Sequence, residues 1–294
     1  MWRVKGKQVR ISVVVPCFNE EDTIERCLLA LLGQNAPCDE IVVVDNNSTD
    51  RTADVVHRLM AEHPTIRLIN ETTQGLAPAR AAGFDAARGD ALSRIDADAR
   101  ARPDWTARIL DFFTDPANAD WTAVTGNALM YDAPRQEQVE QRIRSYHEQS
   151  GSHGRESPVV LGPCSAIRAE WWGPIKAHLS DRVDIHEDYA LGIAIRRAGG
   201  RIWHDPLLIV DQSPRRYLVS PWRNRRYILA GMKTARVLDD RELLRRERLI
   251  LLPQAASMVM TWAALKGWDP QARRWSLRRA LTRRRGEDRI FPLG

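Results

Sequence analysis

The sequence predicts an α/β protein with a mostly parallel central sheet flanked by helices. Three observations carry that prediction. Through the first hundred residues, short β-branched runs alternate with longer amphipathic stretches, the pattern of strand–helix–strand units. The runs "RISVVV" and "EIVVVD" are largely continuous in apolar character, so both faces of the sheet must be covered. With 44% hydrophobic and 28% charged residues among 294, the chain has the composition of a globular protein with a sizeable core.

The elements follow in order. Residues 9–15 form a buried strand ending at Pro16, and "EEDTIERCLLALLGQ" is a helix with Ile24, Leu28, Leu31 and Leu32 on one face, stopped at Gly33. Residues 40–45 form a second strand. The helix after it opens with the capping residues Ser48 and Asp50 and closes at Pro64. Residues 65–70 form a third strand, 74–89 an alanine-rich helix closed by Gly89, and 90–95 a fourth strand. Beyond residue 105 the pattern loosens. Helices are expected at 105–113, 137–149 and 187–200, and strands at 121–131, 158–168 and 201–211.

Charge is unevenly distributed. Residues 215–294 carry 20 Lys+Arg against 7 Asp+Glu, whereas the preceding 214 carry 24 against 31. A basic tail behind an acidic body suggests different roles for the two. Two units are therefore expected: a domain over 8–214 and a basic helical extension over 215–294. Within the tail, residues 249–268 are apolar between arginine-rich flanks, but Pro253, Gln254, Ser257 and Thr261 favour a helix packed on the domain or lying in a membrane surface over one that spans it. The four cysteines show no CxxC spacing and read as reduced, buried thiols, which points to the cytoplasm. No secretory leader is legible at the start of the sequence.

In parallel sheets, ligands bind outside the carboxyl ends of the strands. That rule selects Pro16–Glu20, Asp45–Ser48 and Asp96–Asp98. The pair Asp96 and Asp98, spaced DxD in a tight turn, can reach one hard divalent cation and its attached phosphates, although such pairs also occur in turns without one. Asn19 suits a helix cap as well as a nucleotide contact, and Asp45 suits a turn cap as well as a base or ribose contact. Arg80 sits mid-helix, where a solvent-facing charge is the simple reading. Glu187 and Asp188 open a helix, where the dipole favours them and where a carboxylate near a bound nucleotide could deprotonate a hydroxyl. No GxGxxG follows the first strand and no GxxxxGK[ST] occurs, which excludes the common dinucleotide oxidoreductases and phosphate-loop NTPases.

Six ordered blocks, "VVVPCFNEEDTI", "IVVVDNNSTDRT", "GLAPARAAGFDAARGD", "IDADARARPDW", "GPCSAIR" and "EDYALGIAIRRAGGRI", together resemble a family 2 inverting glycosyltransferase of GT-A (Rossmann-like) fold over residues 9–214. The resemblance implies that Pro16, Phe18, Asn19 and Glu20 line a nucleotide pocket, that Asp45 meets the base and that Arg80 approaches the nucleotide. Asp96 would bond the ribose or share a metal, and Asp98 would ligate Mg²⁺ or Mn²⁺ at the diphosphate. Asp188 would be the catalytic base, ionised at its helix start, with Glu187 supporting it or contacting the acceptor, and Gly162–Arg168 would line the acceptor side. The basic run 213–227 could hold the diphosphate or an acidic acceptor. Two departures from the family stand out: Ala82 replaces a frequent asparagine, and His204 falls early for the histidine that many members use as a third metal ligand.

The implied partners are a nucleotide-diphospho-sugar donor and a hydroxyl acceptor, whether glycan, lipid-linked or small molecule. An anionic membrane surface on the inner face and a homodimer are further candidates, and nucleic acid is not expected. Two other readings compete: a nucleic-acid-binding protein acting through the basic tail, and a nucleotide-sugar-binding domain without catalysis.

Overall fold

The computed structural model describes residues 3–4, 7–150, 154–180, 182 and 184–281, so the last part of the expected extension, 282–294, lies outside the described residues. One large sheet organises the chain. Its strands are β1 (Ile11–Cys17), β2 (Glu40–Asp45), β3 (Ile66–Asn70), β4 (Ala91–Arg94), β5 (Ala99–Ala101), β6 (Ala123–Met130), β7 (Arg155–Glu156), β8 (Ser165–Arg168) and β9 (Ile202–Gln212). They lie in the order β3-β2-β1-β4-β8-β6-β9-β5, with β7 on β9. The half β3-β2-β1-β4 is wholly parallel, as the alternating pattern predicts. In the other half, β6 and β9 are parallel, while β8 runs antiparallel to both β4 and β6.

The helices are α1 (Ile24–Leu32), α2 (Thr52–Glu62), α3 (Leu76–Ala86), α4 (Trp105–Thr114), α5 (Gln136–Ser150), α6 (Trp172–Lys176) and α7 (Glu187–Arg197). They are followed by α8 (Arg215–Leu218), α9 (Arg225–Val237), α10 (Arg241–Gly267) and α11 (Leu277–Leu281). Strand periodicity explains the layering. Val13, Val15, Ile41 and Val43 point to one face, where they meet Leu28 and Leu31 of α1, Val56 of α2 and Ile109 of α4. Val14, Val42 and Val44 point to the other, against Ala79 and Phe84 of α3, Ile175 of α6 and Leu191 and Ile195 of α7. Burial on both faces is why these strands lack an apolar–polar alternation.

The expected strand over 158–168 is shorter in the structure. Only Ser165–Arg168 pairs, and Gly162–Cys164 forms a 3-10 turn, because Pro163 has no N–H to give a ladder. Over its described residues the tail is mainly helical, as expected, with a short hairpin of Trp268–Asp269 on Arg274–Trp275, and it is fastened to the domain: Ile193 of α7, Ala235 of α9 and Leu243 of α10 form a third apolar cluster. All four cysteines are free and buried, and burial pushes the Cys38 and Cys164 thiols up to about 12, which leaves them inert as nucleophiles.

Candidate active site

The loops after β1 and β2 are built as one unit. Asn19 adopts φ 54°, a conformation that asparagine tolerates better than most residues. Its backbone N–H donates to Ser48 Oγ at 3.0 Å, and its Oδ1 accepts from the Thr49 N–H at 2.8 Å. Asp50 accepts from the backbone N–H of Glu21 at 3.2 Å as well as from that of Thr52 at 2.9 Å. Ser48 and Asp50, expected as simple caps of α2, thus serve to tie the two loops together. Asn46 continues the tie by accepting from the Gly75 N–H at 2.7 Å and donating to the carbonyls of Glu71 and Thr73.

A cavity of about 390 Å³ opens where these loops meet the tip of β4. Pro16, Phe18, Asn19 and Glu20 wall it on one side and Asp96, Ala97 and Asp98 on another; Gln212, Ser213, Arg215 and Arg216 close it from the end of β9. The strand order explains the position: β1 has β2 on one side and β4 on the other, so the loops leaving β1 and β4 part around a crevice. Arg215 crosses that crevice, with Nη1 and Nη2 donating to the Glu20 carboxylate at 2.7 and 2.5 Å and Nε to Asp98 Oδ2 at 2.6 Å.

The donor set fits a hard divalent cation. Among the described residues no three His, Cys, Asp or Glu side chains converge into a closed cage. Asp96 and Asp98 offer oxygen ligands, the kind that a hard divalent cation takes alongside phosphate and water. Burial, with the charges of Asp96 and Glu20 adding to it against Arg215, pushes the Asp98 carboxyl up to about 7. Asp98 already carries one cationic partner, Arg215, whose guanidinium occupies the side of the carboxylate that faces Glu20. His204 is not among the residues lining the cavity; its Nε2 lies 3.3 Å from Asn127 Oδ1.

Behind the cavity lies a buried network of charges. Arg94, 2% exposed at the end of β4, donates through Nη2 to Asp96 Oδ1 at 2.7 Å and through Nη1 to Asp188 Oδ1 at 2.9 Å; Nη1 also pairs with Glu187. Arg80, 1% exposed, pairs with the other oxygen of Glu187. Burial alone would raise the Glu187 carboxyl, but Arg94 and Arg80 outweigh it and hold it well below the ordinary range. Asp188 goes the other way, raised well above the ordinary range by burial first and by the charge of Glu187 second. This corrects the expectation of an ionised aspartate at the helix start. A helix dipole contributes about 1 kcal/mol or less at such a site, too little to offset burial beside another carboxylate. Gly162 packs directly on Asp188, and a methyl group there would overlap its carboxylate.

The structure thus gathers Pro16, Phe18, Asn19, Glu20, Asp96 and Asp98 around one cavity, with Glu187 and Asp188 one arginine away. Arg80 and Asp45 sit apart from that lining: Arg80 is buried against Glu187, and Asp45 Oδ1 accepts from the Ser48 N–H at 3.2 Å. Asn46 falls in the strand-tip segment that the sequence selects, whereas Arg94, Gln74 and Gln212 were missed. Of these, Arg94 left a signal. An arginine inside a doubly covered strand requires buried carboxylates, and "IDAD" and "HED" were the available ones.

Comparison with known proteins agrees with this geometry. The family model described as glycosyl transferase family 2 matches residues 12–172. The chain is 26% identical to the glycosyltransferase YibD of Escherichia coli (strain K12) over 118 residues, 38% of this chain and 34% of that protein. It is 34% identical to the glycosyltransferase EpsJ of Bacillus subtilis (strain 168) over 88 residues, 30% of this chain and 26% of that protein. These alignments span about a third of the relatives' length or less. Among solved structures, the mannosyltransferase PcManGT from Pyrobaculum calidifontis, in complex with GDP-Man and Mn²⁺, superposes with a TM-score of 0.61 at 24% identity, covering 92% of this chain and 81% of that one. GalNAc-T7 with UDP, GalNAc and Mn²⁺ gives 0.56 at 16% identity, covering 70% and 44%. At those identities the structures establish the GT-A fold, and with the family match spanning more than half its length the chain belongs to glycosyl transferase family 2.

Proposed function

We propose that the protein transfers a sugar from a nucleotide-diphospho-sugar to a hydroxyl acceptor, inverting the configuration at the anomeric carbon. The observation that carries this reading is the side-chain path Asp96–Arg94–Asp188, which sets an acidic pair at the cavity one arginine away from a buried carboxyl. In this reading the loops after β1 and β2 hold the nucleoside, with Asn46 and Gln74 as polar groups on the cavity wall. Asp98 and Asp96 would hold Mg²⁺ or Mn²⁺, which when bound would supply charge neutralisation at the diphosphate. Arg215 and Arg216 face the same cavity and support the leaving charge directly.

Asp188 accepts the acceptor's proton as the acceptor oxygen attacks in line. Its raised affinity for a proton makes it a stronger base than an exposed aspartate. Glu187, kept ionised by two guanidiniums, holds Arg94 against Asp188 and fixes the orientation of that carboxyl.

The test is transfer from a panel of nucleotide-diphospho-sugars with Mn²⁺, following nucleoside diphosphate release. Asp188→Asn is expected to lose roughly 10²–10⁴-fold in turnover while still binding donor, the scale of a missing general base. Asp98→Asn is expected to lose metal-dependent donor binding as well. Unchanged turnover in Asp188→Asn would remove the base assignment, and equal turnover of the parent protein in EDTA would remove the metal role.

A further inference from the structure

The extension presents an apolar surface that the domain does not use. Helix α10 packs on the protein through Leu243, Met258 and Leu265, each below 5% exposed, and through the buried Glu247, which bonds Arg246 at 2.7 Å. Its other side faces outward. Leu249 and Leu252 are 79% and 78% exposed, Met260 64% and Val259 48%, and Pro253, Ala256 and Ala263 are exposed with them. The positions 249, 252, 256, 259, 260 and 263 recur at the spacing that lines one side of a helix. From Leu249 to Leu265 the chain carries no charged residue. At 1.5 Å per residue this uncharged stretch is about 25 Å long. Nearby, Leu277 and Leu281 of α11, one turn apart, are 85% and 86% exposed, and Trp275 is 55% exposed.

Arginines frame this surface. Arg245 and Arg248 are exposed before the stripe, and Arg273, Arg274 and Arg278 after it. We infer that α10 and α11 form a docking face for an anionic bilayer surface, with the apolar stripe sunk to the level of the acyl-chain boundary and the arginines at the headgroups.

Charge complementarity selects this occupant. Both ends of the stripe are basic, so a second copy paired through it, parallel or antiparallel, would set arginines against arginines. An anionic bilayer supplies the opposite charge at both ends together with an apolar layer between them. An 18-residue stretch of the helix has a mean hydropathy of 1.3, apolar enough to cross a membrane, and 11% of it is buried. Met258 and Leu265 within the uncharged stretch, and Glu247 just before it, are packed on the protein, which favours a helix lying along the bilayer surface over one crossing it. From its packed side α10 also reaches towards the cavity: Leu265 lines one groove with Leu218 of α8, and α8 carries the Arg215 and Arg216 that wall the cavity. A bilayer under α10 therefore bears on the element that closes the cavity.

The experiment is co-sedimentation of the full chain with vesicles of phosphatidylcholine alone or mixed with phosphatidylglycerol, at low and high salt. The parent protein is expected to pellet with the mixed vesicles at least tenfold more than with phosphatidylcholine, and to be released by high salt. The double variant Leu249→Glu/Leu252→Glu, at fully exposed positions, is expected to lose pelleting while keeping its circular dichroism and melting temperature. Arg248→Glu/Arg274→Glu is expected to weaken it roughly fivefold or more for each arginine. No preference for anionic vesicles would overturn the inference. So would salt-resistant retention, which would mark a spanning helix. A dimer in sedimentation velocity abolished by Leu252→Glu, or salt-sensitive binding of single-stranded RNA in place of vesicles, would replace the bilayer with another partner.

Discussion

Arg94 is the residue on which the arrangement of the site turns. Among the described residues this buried cation is compensated by three carboxylates, and two of those belong to different parts of the proposed reaction, Asp96 at the cavity and Asp188 behind it. Removing one partner of such a buried set leaves charge uncompensated, so Arg94→Met is expected to cost about 3–5 kcal/mol of stability, read by chemical denaturation. Arg94→Lys keeps the charge but replaces a planar fork with a single ammonium, which cannot hold Asp96 and Asp188 at once. It is expected to fold and to lose roughly 10²-fold in kcat with donor KM little changed, because the misplaced group is the base. A loss confined to KM would contradict a positioning role. Arg215 acts differently, as a cation bonded to Glu20 and Asp98 across the cavity. In Arg215→Gln, Mn²⁺ affinity without donor, followed by calorimetry, is expected to rise, while nucleoside diphosphate affinity falls; a fall in both would show that Arg215 builds the metal site.

At the scale of elements, α7 joins the reaction centre to the extension. Its first turn carries Glu187 and Asp188, and its middle carries Ile193, which packs with α9 and α10. At its start the His186 backbone N–H donates to Thr234 Oγ1 of α9 at 2.7 Å, and the ring stacks on Tyr189 with centroids 4.7 Å apart. Its Nδ1 has no hydrogen-bond partner among the described residues. Burial therefore lowers its pKa from 6.5 to about 4, with Glu187 opposing and Arg216 and Arg94 reinforcing the shift. The sign follows directly. The unfolded chain binds a proton on this histidine below 6.5 and the folded chain resists until about 4, so the protein loses stability as pH falls through that window. Because His186 as a residue is half-buried rather than fully buried, the loss is expected to be roughly 2 kcal/mol, short of the full shift. His186→Phe should flatten the pH dependence of the melting temperature between 6.5 and 4; an unchanged slope would assign the acid loss to other groups.

Across the whole molecule, an acidic body holds the cavity and a basic extension carries the exposed apolar stripe, and the two meet at α8. The succession of strands and helices along the first hundred residues, and the loops at the strands' carboxyl ends, were legible in the sequence, because apolar periodicity and turn residues are local properties of the chain; the order of the strands in the sheet and the antiparallel β8 were not. So was the presence of Asp96, Asp98, Glu187 and Asp188, since their types and spacing already limit the chemistry. The strand at 158–168 was overread for a local reason as well, a proline that cannot join a ladder. What the sequence by itself could not decide was which charges would be buried together. Arg80 in α3, Arg94 in β4 and Glu187 and Asp188 in α7 are far apart along the chain, and only the packing of α3 and α7 on one face of the sheet brings them into contact. Ionisation follows from that contact and from the loss of water, both of them tertiary properties. At the aspartate that a helix start would leave charged, burial beside Glu187 therefore raises the affinity for a proton.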